Sequence, residues 1–299
     1  MAVATDRIVE RDDRPTTGRR RGLGPRWLLL PSGVWFVLFL VAPLVVLAII
    51  SLGERSPNGG YAAALTLDQY ARLATRFTPF TNTLGLAFAG TLMCLLAGYP
   101  LAYVLATRAG AWKTVLMALI VIPLWTSFLI RTYAWMFILG SNGVPRILET
   151  FGIDVQLLNT PFAVLLGIVY NYLPLMALPI YVSLERLDRS FLEASRDLGA
   201  GPFSTFRKIT LPLSAPGVIS GCLLVFIPVM GEYLIPVLLG GGKTYFLGNA
   251  LADLFLQSRN WPFGAALATA FVLFMVVVVA LYSWVARQLT DQGRESSLL

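Results

Sequence analysis

Six stretches of this 299-residue sequence, roughly 28–52, 82–107, 112–139, 162–184, 215–239 and 264–286, are each long and apolar enough to cross a bilayer. A hydrocarbon layer about 30 Å thick takes about 20 mostly apolar residues in a helix. Inside it every backbone N–H and C=O must be satisfied within the segment, so such spans are helices. Composition agrees: 13% of residues are charged, about half the roughly 25% of a soluble domain. The expected fold class is all-α, a polytopic membrane protein with six transmembrane helices. The first run is too long for a signal peptide, and the basic stretch before it is too extended. Prolines lie in five of the six runs; the last has none and should run straight.

Missing residue types exclude several chemistries. The chain has no histidine, so it holds no Ser-His-Asp triad, no imidazole base and no His-containing metal site. Its two cysteines, Cys94 and Cys222, cannot build a Cys₄ zinc site. Both sit in apolar runs and read as buried small hydrophobes.

The basic residues orient the spans. With the N-terminus in the cytoplasm, 16 of the 23 Lys and Arg residues fall inside and six fall outside. Both termini are therefore expected in the cytoplasm, and the net charge of +7 reports topology rather than a nucleic-acid partner. The division is a basic tail at 1–27, a membrane domain at 28–288 and a short tail at 289–299. The first tail, with Arg19, Arg20 and Arg21, anchors the first span against translocation or binds anionic membrane lipid.

One cytoplasmic connection, 185–212, is patterned. Leu184, Leu187, Phe191, Ser195 and Leu198 recur at helical spacing. Ser190 through Glu193 matches a capping box, in which the two side chains satisfy each other's backbone donors. Gly199 fits a helix stop. Gly201-Pro202 fits a second helix start, and that helix should end before Pro212. Two readings of this helix pair stand together. It lies on lipid headgroups, or it docks a cytoplasmic partner through Phe191, Leu198, Phe203 and Phe206.

The residues of this loop carry a resemblance. Glu193-Ala194-Ser195, three residues, Gly199, nine residues, then Ile209-x-Leu211-Pro212 resembles the EAA loop of binding-protein-dependent ABC importer permeases, with Ser195 replacing the second alanine. Ile122 through Trp135, Tyr172-Leu173-Pro174, Gly231-Glu232-Tyr233 and Asn260-Trp261-Pro262 are similar to the first permease subunit of spermidine/putrescine importers. The resemblance covers about 28–288. It implies the type I ABC importer permease fold and no catalytic residue. It further implies a second permease subunit completing a heterodimer, two copies of a cytoplasmic ATPase, and an extracytoplasmic solute-binding protein. ATP and magnesium would bind the ATPase, leaving this chain without a cofactor. In the family the EAA loop passes ATPase closure to the membrane helices. Glu193 then either serves its own helix cap or touches the ATPase.

Gly240-Gly241-Gly242-Lys243-Thr244 imitates a phosphate loop, but Val237 stands where that motif needs its first glycine. A flexible turn is the better reading.

Ionisable groups at membrane depth are functional candidates. Glu232 either faces a solute path and attracts a cation, or pairs with Arg131 and ties two spans together. Asn171 and Tyr172, beside the Pro174 and Pro179 breaks, mark where a polar cavity can form, although Asn also bonds neighbouring helices. Trp125 can stack on an ammonium group or belong to an aromatic belt. The resemblance points to polyamines. The same architecture carrying another organic cation, an amino-acid derivative or chelated iron is the nearest alternative. A secondary transporter would need an internal repeat and a mid-depth coupling carboxylate, and neither is evident.

Overall fold

A computed structural model describes residues 30–73 and 77–295. The tail 1–27, Arg76 and residues 296–299 lie outside the described residues. The chain divides into two compact units, Met1–Val46 and Leu47–Leu299.

The described part of the first unit is helical and begins α1 (Leu30–Ser51). Its apolar side chains, Trp35, Phe36 and Phe39 among them, are exposed, as suits a helix whose solvent is lipid. A π-helical turn at Val37–Val41 precedes Pro43, and the Ala42 N–H bonds the Val37 carbonyl. Proline cannot donate, and the widened turn absorbs the missing bond.

The second unit opens with a two-residue hairpin, β1 (Glu54–Arg55) against β2 (Tyr61–Ala62), and the short α2 (Asp68–Leu73). The spans that follow are α3 (Thr78–Thr107), α4 (Lys113–Trp125) with α5 (Phe128–Leu139), α7 (Pro161–Glu185), α9 (Pro202–Met230) and α12 (Trp261–Glu295). Between them lie α6 (Val144–Glu149), α8 (Arg189–Asp197), α10 (Leu234–Gly240) and α11 (Leu247–Ala252). Among the described residues five helices are long and apolar enough to cross a membrane, and the bent pair after α3 makes six if it counts as one span.

The core is the packing of α3, α7 and α9. Small residues Ala87, Cys94 and Ala102 on α3 are buried in one cluster with Ile168, Met176 and Ile180 on α7. On α9, a Cβ at Gly217 would stand 2.7 Å from the Pro179 carbonyl, and one at Gly221 would stand 2.9 Å from that of Met176. Backbones approach this closely only where the side chain is missing, so these glycines set the helix spacing. Both cysteines are free.

Four expectations are corrected. The third span is not one helix over 112–139: it bends by 98° after Trp125. Pro123 removes a helical donor, and Thr126 turns extended while its hydroxyl bonds the Pro123 carbonyl at 2.7 Å. The fifth span does not continue to 239, because the helix stops at Met230 and restarts at Leu234. The second helix of the patterned loop does not end before Pro212. It runs into the fifth span through a π turn at Phe206–Thr210, where the Leu211 N–H bonds the Phe206 carbonyl. As before Pro43, the wide turn lets the helix pass a proline. The last span is continuous, as expected from its lack of interior proline, and α7 is also unbroken, without the breaks expected at Pro174 and Pro179.

Candidate functional site

Two groups of residues carry the functional reading: the helix pair at 185–212, and a polar cluster at the two breaks.

Helix α8 is capped by Asp188, whose carboxylate accepts the Ser190 N–H at 2.9 Å. The capping box expected at Ser190 and Glu193 is therefore not formed. The cap sits two residues earlier, on a carboxylate that can reach two residues ahead. The Ser190 N–H holds the Asp188 carboxyl below its usual range, since the bond favours the charged form. Glu193 is free of that duty, and with Ala194 it is exposed. The helix ends in a Schellman turn. Gly199 has φ +76°, its N–H bonds Arg196, and the Ala200 N–H bonds Ser195.

Ser195 is 6% exposed, and its hydroxyl lies 2.8 Å from that of Thr205. The serine that departs from the family pattern thus clasps α8 to the start of α9. Phe191, Leu198 and Phe203 are exposed, Leu198 at 88% and Phe203 at 76%. Phe206 is not an exposed anchor. Its ring meets Tyr99 and Tyr103 edge-on at 5.7 Å each, because the π turn rotates it toward α3. The Tyr99 hydroxyl lies 3.0 Å from that of Ser214 on α9. Ile209, Leu211 and Pro212 lie on the continuous stretch where α9 passes its π turn. Where the loop begins, Lys113 pairs with Glu185 and sits 5.4 Å over the Tyr181 ring. These contacts tie the helix pair to α3 and tie α4 to the end of α7.

In the cluster, Glu232 occupies the break between α9 and α10 and is 8% exposed. Its Oε1 accepts the N–H groups of Leu234 at 2.9 Å and Ile235 at 3.3 Å, and its Oε2 accepts the Tyr172 hydroxyl at 2.6 Å. The Arg131–Glu232 ion pair is not formed. Arg131 stands one turn past the other break, its N–H bonded to the Ser127 carbonyl and its guanidinium 6.0 Å from the Phe128 ring. Its Nε and Nη1 are buried without an acceptor among the described residues. Asn171 donates to the Gly167 carbonyl at 2.9 Å and keeps Oδ1 unpartnered among the described residues. Trp125 does not join the cluster. At the end of α4 and 85% exposed, it belongs to the outer surface of the unit. Gly241 and Gly242 have φ +62° and +69° in the turn after α10, as the turn reading of that motif expects.

Sequence reasoning missed the Asp188 cap, the Phe206 clasp and the Lys113–Glu185 tie. An Asp-x-Ser start was a visible signal for the first; the others are long-range and leave none.

The family model described as binding-protein-dependent transport system inner membrane component matches residues 97–291, which contain the whole helix pair and the cluster. The chain belongs to this family. It is a multi-pass permease subunit of a binding-protein-dependent ABC importer and not a catalytic chain. The permease is similar to the spermidine/putrescine transport system permease protein PotB of Haemophilus influenzae, with 38% identity over 260 residues, 83% of this chain and 89% of that protein. PotB of Escherichia coli strain K12 is also 38% identical, over 87% of this chain and 97% of its own length. In fold, the permease resembles the bacterial alginate ABC transporter solved with an alginate pentasaccharide-bound periplasmic protein. That likeness has TM-score 0.70 and 17% identity, over 89% of this chain and 94% of that one. The inward-facing methionine transporter MetNI gives TM-score 0.55 and 18% identity, over 72% and 98%.

Proposed function

We infer that this permease imports polyamines of the spermidine/putrescine class, as one half of a heterodimer with a second permease subunit. Two copies of a cytoplasmic ATPase dock at the helix pair, an extracytoplasmic protein delivers the solute, and both termini lie in the cytoplasm. ATP and magnesium bind the ATPase, and this chain takes no cofactor. The observation that carries the substrate class is 38% identity to PotB over most of both chains. A buried carboxylate at a helix break supports it, since such groups serve ion and substrate paths.

Coupling follows from the continuity of α9. Phe203 and the exposed face of α8 meet the ATPase, and a push on them travels along one helix to Met230, next to Glu232. The Ser195–Thr205 bond and the Phe206 clasp keep the pair from yielding separately. ATP binding elsewhere thereby shifts the population of membrane conformations.

The test is reconstitution of all subunits in proteoliposomes. Binding-protein-dependent ATP hydrolysis stimulated by spermidine or putrescine is the expected result. Stimulation by an unrelated solute alone would keep the architecture and remove the polyamine.

A further inference from the structure

The arginine at one break and the glutamate at the other are in an unequal situation. Every oxygen of Glu232 is engaged: two backbone N–H groups hold Oε1 and Tyr172 holds Oε2. Arg131 has two buried N–H-bearing nitrogens with no acceptor among the described residues. Buried donors of a charged group are unfavourable unless paired. Helix α5, which carries Arg131, packs against α10, whose first two N–H groups donate to Glu232. Each of these half-helices begins at a break, so a hinge at either one changes the separation of the two charges.

Charge arithmetic adds a constraint. An arginine and a glutamate together are neutral, so a cation entering beside both gains little attraction. A cation that replaces the arginine at the carboxylate leaves the balance unchanged and meets a full negative charge. A neutral solute cannot make that exchange.

We propose that Arg131 is the resident counter-ion of Glu232: at another stage of the cycle its guanidinium takes the carboxylate that Tyr172 holds here, and an ammonium group of the solute displaces it. Arg131 is then a specificity-determining residue, a built-in competitor that only a cationic solute removes. The inference rests on the cationic-solute reading of the preceding subsection.

The test is a double-mutant cycle in the complete reconstituted complex. Glu232→Gln leaves Arg131 as an unbalanced positive charge and should cut spermidine uptake at least tenfold. Adding Arg131→Gln to that variant removes the repulsion and should restore uptake at least threefold. Arg131→Gln alone should lower the spermidine concentration for half-maximal uptake, while Arg131→Lys, which keeps the charge, should stay within twofold of wild type. A double variant no better than Glu232→Gln, or an Arg131→Gln variant indistinguishable from wild type, overturns the proposal. The same cycle on basal ATP hydrolysis needs no solute. Non-additive effects of at least threefold there support the pair, and additive effects overturn it. A wild-type complex that ignores spermidine overturns the polyamine reading instead, and the basal cycle still decides the pair.

Discussion

The Tyr172 hydroxyl on α7 donates to Glu232 at 2.6 Å and thereby joins an unbroken span to the break in its neighbour. The same carboxylate caps α10 through two backbone N–H groups. One side chain therefore fixes where the fifth span stops, where the next helix starts and how both sit against the core.

Tyr172→Phe removes one hydrogen bond and leaves a buried carboxylate oxygen without its partner. The expected loss is about 1–3 kcal/mol, because the desolvation of that oxygen is no longer compensated. A thermal-shift measurement on the purified complex checks it, and an unchanged midpoint would contradict the role given to this bond.

Ser195→Ala should be mild. It removes the 2.8 Å bond to Thr205, about 0.5–1.5 kcal/mol, and leaves a small side chain in the same place. Uptake should persist with a modest drop in midpoint. Gly199→Ala places a Cβ at φ +76° and should impair binding-protein-stimulated ATP hydrolysis more than Ser195→Ala does, because left-handed backbone disfavours side chains.

Phe203 and Phe206 should separate two functions. Phe203→Ala touches an exposed ring and should weaken co-purification of the ATPase while the midpoint of the permease holds. Phe206→Ala opens the contact with Tyr99 and Tyr103. It should lower stability by less than the roughly 3–5 kcal/mol of a fully buried Phe and uncouple hydrolysis from uptake. Equal behaviour of the two variants would count against the division.

Asp188 sets an acid limit on the loop. Its folded-state carboxyl titrates below the usual range, so the cap is fully present above the ordinary Asp value of about 3.9. It is lost as pH falls through the lower, folded value. Coupled hydrolysis should therefore show no α8-dependent decline between pH 7 and 5. At pH 7, Asp188→Asn should keep activity, since asparagine also caps, and Asp188→Ala should reduce it.

Gly221→Val tests the helix spacing. A branched side chain would meet Met176 backbone and sulfur atoms, where even a Cβ stands 2.9 Å away. Overpacking of this kind costs about 1–3 kcal/mol. The yield of folded complex after membrane extraction should fall accordingly.

Elements that depend on local chemistry are legible in the residues themselves. Runs of apolar residues set the spans because lipid accepts only helices there. The unbroken last span followed from its lack of interior proline, and the Gly199 stop and Gly201-Pro202 start from residue types that suit those backbones. Gly217 and Gly221 stand four residues apart, a small-residue spacing that suits close helix contact, but the spacing does not name the partner helix. How residues far apart in the chain meet is set by packing alone. Tyr172 and Glu232 are 60 positions apart, and nothing in either neighbourhood records the other. The 98° bend and the stop at Met230 were equally hidden. Proline marks where a helix can yield, but whether it breaks or passes through a π turn, as before Pro212, depends on what neighbouring helices offer the freed backbone groups. The pairing of Arg131 with Glu232, one of two readings the sequence left open, is not made in this structure for the same reason. A hydroxyl on α7 and two backbone donors at the break already occupied the carboxylate.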